Sequence, residues 1–138
     1  MKKYLQIFTL IVITCLAGCQ KDTEVVITEP KVTTGEITSV TTTSFDYESN
    51  ITEDGGASVT ARGVCYGTSS NPTISDSKTT DGSGTGAFSG TIQKLTPETT
   101  YYVRAYATNS AGTGYGEVRT VKLLEQKTLQ GAEQAYPG

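Results

Sequence analysis

The chain opens with a short apolar run whose pattern differs from everything after it. Tyr4 to Thr14 is apolar apart from Gln6 and Thr9, and it follows the positively charged start Met1-Lys2-Lys3. A membrane-spanning helix needs about 20 apolar residues, so this run is too short to cross a bilayer. A basic start followed by a short apolar run is typical of a secretory signal peptide.

From Val32 to Lys122 the pattern changes to short β-type runs. They are rich in Thr, Val, Ile, Tyr and Phe and are separated by clusters of Gly, Asn, Asp and Pro. Two runs alternate, which predicts strands that bury every second side chain. The predicted inward side chains are Phe45, Tyr47, Ser49 and Ile51 in the first run and Tyr101, Val103, Ala105 and Ala107 in the second. No segment has a helical period, and turn signals about every ten residues predict an all-β sandwich or barrel.

The residues Leu16-Ala17-Gly18-Cys19, shortly after the apolar run, resemble the lipobox of bacterial lipoproteins. The resemblance implies that residues 1–18 are a lipoprotein signal peptide and that Cys19 becomes the lipidated first residue. The protein is then held on a membrane through the lipid on Cys19, with residues 19–31 as a polar tether. The alternative is an ordinary signal peptide followed by a chance cysteine.

The polar segment Gln20 to Glu24 resembles the export signal that follows the lipidated cysteine in some Bacteroidota surface lipoproteins. This resemblance implies an outer-membrane protein exposed at the cell surface. A merely solvated tether is the alternative, because polar linkers are often charged.

The segment Leu95 to Ala105 resembles the corner between the fifth and sixth strands of fibronectin type III domains. Pro97 and Tyr101 stand at the family's spacing from Leu95. The resemblance implies one immunoglobulin-like β-sandwich of about seven strands over residues 32–122, carried by a Bacteroidota-type outer-membrane lipoprotein. It also implies that the Tyr101 ring packs inside while its hydroxyl satisfies a backbone group across the bend. Residues 123–138 form a tail that fits no strand of such a sandwich. The alternatives for it are a short helix or a last strand edge packed through Leu123, Leu124 and Leu129, or a disordered segment.

One feature of the predicted core can be assigned only from the family resemblance, and another departs from that resemblance. The run from Gly63 to Tyr66 does not alternate, and the resemblance places Val64 and Tyr66 inward and Cys65 outward. The chain also has no Trp, which many type III domains carry in the core, so Phe45 and Tyr47 are expected to supply that bulk.

Composition argues against catalysis and against nucleic acid as a partner. The 138 residues include no His, so a Ser-His-Asp triad is excluded and the one cysteine expected inside the domain, Cys65, has no His to activate it. Removal of Lys2 and Lys3 with the signal takes the formal net charge from −3 to −5. An acidic chain without a basic cluster is unsuited to binding phosphate backbones. We therefore expect a protein that is not an enzyme and needs no cofactor.

Two loop features are weak candidates for binding small ions. Gly82 to Gly86 superficially resembles a phosphate loop, but a strand is expected after it rather than the helix that such a loop requires. Asp76 and Asp81, with the Ser and Thr oxygens between them, are weak candidates for a Ca²⁺ site without the spacing of a known calcium loop.

The outward side of the predicted strand around Tyr101 is the best candidate for a binding face. If Tyr101 and Val103 point inward, then Tyr102, Arg104 and Tyr106 point outward together. Exposed tyrosines around an arginine are suited to stacking on a glycan or anchoring a surface protein. Ordinary cross-strand pairing on a sheet surface is the alternative.

These inferences support three functions. The first is a lipid-anchored binding or adhesion module of the cell envelope, without catalytic activity. The second is a passive spacer or a subunit of a surface assembly, and the third is an accessory protein for polysaccharide capture. A sandwich fold alone does not decide between them.

Overall fold

The computed structural model describes residues 24–127, which form two antiparallel sheets. The predicted signal peptide, Cys19 and most of the predicted tail lie outside the described residues. The strands are β1 (Lys31–Thr38), β2 (Phe45–Glu53), β3 (Ala61–Gly67), β4 (Ser77–Lys78), β5 (Gly86–Ile92), β6 (Thr100–Asn109), β7 (Gly112–Tyr115) and β8 (Arg119–Lys122). The three-stranded sheet has the order β1-β2-β5. The five-stranded sheet has the order β4-β3-β6-β7, with β8 also paired to β6.

The inner faces of the two sheets form the core, and the alternation of the sequence predicts them correctly. On β2, Phe45, Tyr47 and Ile51 are buried. On β6 the buried inward side chains are Tyr101, Val103, Ala105 and Ala107. Because successive side chains of a strand point to opposite faces, one inward residue fixes the orientation of the others. Val64 is in the core and Tyr66 packs against it, as expected for β3.

The predicted tyrosine corner is present between β5 and β6. The Tyr101 ring is buried, and its hydroxyl accepts a hydrogen bond from the Thr96 amide at 3.1 Å. Lys94 and Glu98 both have positive φ, of 61° and 54°, so the chain bends sharply around this contact. The hydroxyl therefore satisfies a backbone group across the bend, and that group is an N–H.

The sandwich includes residues that the sequence pattern predicts to belong to the tether and the tail. At the start, the Thr28 amide donates to the Gly55 carbonyl at 2.9 Å, and the Asn109 side-chain amide donates to the Thr28 carbonyl at 2.7 Å. At the other end, Leu123 is buried in the core and its amide donates to the Thr99 carbonyl. The folded unit therefore extends on both sides beyond residues 32–122.

One long side of the sandwich is closed by contacts between β1 and the edge formed by β7 and β8. The buried Thr34 hydroxyl accepts from the Ala105 amide at 2.9 Å, while the Thr34 amide donates to the Glu117 carboxylate at 3.1 Å. Arg119 Nε donates to the Gly35 carbonyl at 3.1 Å. These bonds join the two sheets along this side.

The described part of the chain has no helix of the length and apolar character needed to cross a membrane.

Candidate binding face

The outer face of the five-stranded sheet carries the three residues that the sequence singles out for binding. Tyr102, Arg104 and Tyr106 alternate with the inward residues of β6 and therefore share one face. Their cross-strand partners on β3 are Gly67, Cys65 and Gly63. The three side chains differ in exposure, because a segment that follows β3 in the chain covers part of this face.

Tyr106 is buried, so the prediction that it is exposed is wrong. Only 2% of its surface is accessible, and its hydroxyl donates to the Thr79 carbonyl at 2.7 Å. Residues 79–81 extend the pairing of β4 along β3, since the amides of Thr79 and Asp81 donate to carbonyls of that strand. Gly63 permits this cover, because a Cβ there would collide with the backbone of Thr79. Burial also raises the pKa of the Tyr106 hydroxyl.

Arg104 is half-buried and holds a neighbouring turn against the sheet. Its Nε donates to the Pro72 carbonyl at 2.6 Å, and its guanidinium lies 4.0 Å from the centre of the Tyr115 ring. The Tyr115 hydroxyl in turn accepts from the Ile74 amide at 3.2 Å. Arg104 therefore positions the turn from Pro72 to Asp76 and stacks on Tyr115.

Tyr115 is a further member of this face, outside the three residues that the sequence pattern indicates. It lies on β7 directly opposite Tyr106, and it is half-exposed. The turn signal at Asn109 to Gly112 could have indicated this pairing, because a short hairpin fixes which residues of its two strands are opposite.

We call the accessible part of this surface the tyrosine face, made of Tyr102, Arg104, Tyr115 and Ile74. Tyr102 and Tyr115 are half-exposed, and Ile74 is exposed. Two aromatic rings, a stacked guanidinium and an aliphatic side chain combine apolar area with hydrogen-bonding capacity. This is the composition found at the centres of binding sites.

Cys65 lies on the same outer side, as predicted, but it is covered. It is opposite Arg104, it is absent from the core between the sheets, and none of its surface is accessible. Burial raises the pKa of its thiol to about 12, an effect that Arg104 only partly offsets. A reactive cysteine needs a lowered pKa and access to solvent, so Cys65 is a structural thiol.

The two weak candidates for a metal site belong to separate hydrogen-bond networks. The Asp76 carboxylate accepts from the Thr73 amide at 2.8 Å and closes a turn. The Asp81 carboxylate accepts from the hydroxyls of Tyr47 and Thr79, both at 2.8 Å, and so joins the two sheets. Within residues 24–127, no group of three or more His, Cys, Asp or Glu residues is placed to hold a metal ion.

The glycine-rich loop before β5 is fastened by Arg62 on β3. The guanidinium donates to the carbonyls of Asp81, Gly84 and Thr85 at 2.9 to 3.2 Å and lies 5.1 Å from the centre of the Phe88 ring. A strand follows the loop, so its amides are not aligned at a helix start as phosphate binding requires.

Solved structures of known proteins share this fold. The chain matches the sensor domain of the anti-sigma factor RsgI4 from Pseudobacteroides cellulosolvens with a TM-score of 0.54 and 21% identity, covering 72% of this chain and 99% of that one. It matches the fourth fibronectin type III domain of a human protein with a TM-score of 0.58 and 17% identity, covering 78% and 89%. No protein-family model and no curated protein sequence matches the chain. The chain therefore has a fibronectin type III-like β-sandwich fold.

Proposed function

We propose that this protein is a lipid-anchored binding or adhesion module on the outer-membrane surface of a bacterium, without catalytic activity. The observation that carries the proposal is the short distance between the lipobox-like cysteine and a folded sandwich. Cys19 precedes Thr28, whose amide is bonded to the turn at Gly55, by nine residues.

This spacing determines which end of the module is close to the membrane. Nine residues span at most about 30 Å when fully extended, at about 3.3 to 3.6 Å per residue. Thr28 contacts the end of the sandwich formed by the turns at Gly55 and Asn109. That end therefore lies towards the bilayer, and the tyrosine corner at Thr96 lies at the end away from it.

Replacement of Cys19 by Ala tests the anchor. Without the thiol, lipid attachment and cleavage before residue 19 both stop, so we expect Cys19→Ala to lose incorporation of labelled palmitate and partitioning into detergent. Cys15→Ala is the matched control, because it removes another cysteine of the same segment and leaves the lipobox intact. A Cys19→Ala protein of normal mature size that still carries label contradicts the proposed anchor.

The tyrosine face is the proposed contact surface for a glycan or a surface protein. Its support is the half-exposed pair Tyr102 and Tyr115, with Arg104 held in place by stacking and by the Pro72 carbonyl. Tyr102 makes no hydrogen bond through its side chain among the contacts of the described chain, so its ring is the part of the face most readily offered to a partner.

Tyr102→Ser tests this surface. On a panel of immobilised bacterial and plant polysaccharides and in surface pull-downs, we expect the change to weaken binding by about 1–2 kcal/mol, the range of an aromatic contact. Asn50→Ser, on the outer face of the other sheet, is the control and should bind as the unchanged chain does. Unchanged binding by Tyr102→Ser contradicts the tyrosine face, and an absence of binding by any version favours the spacer function.

A further inference from the structure

The strand β5 is an unpaired sheet edge. Its seven residues pair in unbroken register with β2, from Ile92 opposite Phe45 to Gly86 opposite Ile51. No other strand of the described residues is paired with it. Its remaining backbone N–H and C=O groups on the outer side are therefore open to another strand.

The other edges of the two sheets are blocked. The bonds of Thr34 and Gly35 close β1 against β7 and β8, and the register of β1 is also interrupted between Thr34 and Ile37. The strand β4 has two residues, its pairing along β3 continues only as far as Asp81, and this short edge carries the charged residues Lys78 and Asp81. Short length, charge and register breaks are the usual protections of an edge against further pairing.

The strand β5 has none of these protections. It contains no charged residue and no proline, and its ladder with β2 has no bulge. The side chains on its outer face, at Ala87, Ser89 and Thr91, are small and exposed. They present no steric or electrostatic barrier to a strand that lies alongside.

We propose that β5 pairs with β5 of a second copy of this chain, antiparallel and centred on Ser89. In this register Phe88 lies opposite Gly90 and Ile92 lies opposite Gly86, each pair occurring twice by symmetry. Every large inward side chain then meets a glycine.

The β2–β5 ladder already uses the same combination of large and small residues. Tyr47 lies opposite Gly90 and Ile51 opposite Gly86. A Cβ at Gly90 would collide with the Tyr47 hydroxyl, so the glycine is what lets the large ring cross beneath the strand. On the outer face of the proposed pair, Ala87 lies opposite Thr91 of the second copy and Ser89 lies opposite Ser89 of the second copy, so no like charges meet. The product is a six-stranded sheet with twofold symmetry.

The antiparallel arrangement places the two N-terminal segments at opposite ends of the joined sheet. Thr28 lies at the end of the sandwich where β5 begins, because Gly86 pairs with Ile51 close to the turn at Gly55. If each copy is anchored through Cys19, which rests on the proposed function, this geometry suits copies held by two facing membranes.

A cysteine at the symmetry axis tests the pairing directly. Directly opposite residues of an antiparallel pair have Cα atoms about 4.5–5.5 Å apart, within the range of a disulfide, so mild oxidation of the full Ser89→Cys chain in detergent micelles should give a reducible dimer. Asn50→Cys is the matched control, since it is also exposed but lies one strand further from the axis. Asn50 lies opposite Ala87, two residues from the axis, so its two copies would be about 20 Å apart, too far for a disulfide.

We expect at least about fivefold more cross-linked dimer from Ser89→Cys than from Asn50→Cys or the unchanged chain. Equal yields from the two variants overturn the pairing. In a Cys15→Ser, Cys19→Ser background the measurement requires no lipid and leaves Cys65, which is buried, as the other thiol, so its failure is distinct from a failure of the proposed anchor.

A charge at the same position provides an independent measurement. Ser89→Lys brings two lysines face to face, and sedimentation of the full chain should show association weakened by about tenfold or more. Asn50→Lys adds the same charge on the paired strand β2 and should leave association unchanged. Equal association constants for the two lysine variants overturn the proposal.

The facing-membrane arrangement has its own readout. The lipidated protein in phosphatidylcholine vesicles should cluster them, and Ser89→Lys should abolish the clustering. Cross-linking at Ser89 without vesicle clustering supports the pair and overturns the facing-membrane arrangement.

Discussion

Replacing Tyr101 by Ala should lower the free energy of unfolding by about 3–5 kcal/mol, the range for removing a buried aromatic side chain. The change empties the space that the ring fills in the core, and it leaves the Thr96 amide without its partner. Denaturant unfolding followed by circular dichroism, with the midpoint compared at unchanged slope, measures the loss.

Tyr102→Ala is the matched control for Tyr101, since it removes the same side chain from the neighbouring position on the opposite face. We expect it to cost about 1 kcal/mol or less, because half-exposed sheet positions contribute little. Tyr101→Phe keeps the ring and removes only the hydroxyl, so its expected cost is about 0.5–1.5 kcal/mol. Equal losses for Tyr101→Ala and Tyr102→Ala would contradict the orientation of β6.

The second large effect is expected at Tyr106. Tyr106→Ala should also cost about 3–5 kcal/mol, since the ring is buried beneath residues 79–81. The Thr79 carbonyl loses its hydrogen bond, and the cover over this side of the sheet loses its main support. A loss as small as that of Tyr102→Ala would mean that the ring faces solvent.

The same substitution should expose Cys65, which gives a readout specific to the cover. Burial holds the pKa of this thiol at about 12, so in the native protein it should react slowly with a thiol reagent at pH 8. Tyr106→Ala should accelerate the reaction. The double variant Tyr106→Ala, Cys65→Ser is the control, because loss of the signal in it shows that the reacting thiol is Cys65. An unchanged rate would show that residues 79–81 stay in place without Tyr106.

Most of the core could be predicted from the sequence, because which side chains of a strand are buried follows from the local alternation of apolar and polar residues. On β2 and β6 the alternation of apolar and polar side chains directly assigns an inner and an outer face, and the structure confirms both. The tyrosine corner was predicted through the resemblance to fibronectin type III domains, because the motif that carries the resemblance, Leu95, Pro97 and Tyr101, lies within one bend of the chain. The ends of the domain were harder to predict, because Thr28 and Leu123 are held by hydrogen bonds to residues more than 20 positions away in the chain.

The binding face was only partly predictable, since alternation assigns a face but does not say what covers it. Tyr106 shares the outer face with Tyr102, yet its partner Thr79 is 27 residues distant in the chain. Arg104 is likewise held by Pro72 at a distance of 32 residues. Neither contact has a local pattern that would reveal it.

The sequence by itself determined that the chain is an all-β sandwich or barrel and which side of β2 and β6 faces the core, because side-chain alternation and turn residues act over a few positions. The resemblance to fibronectin type III domains favoured the sandwich. Only the tertiary structure decided that Tyr106 and Cys65 are covered, that Tyr115 joins the accessible face, and that β5 is the edge left open. These features depend on which distant segments meet. Burial is set by the neighbours that the fold brings together, and those neighbours are remote in sequence.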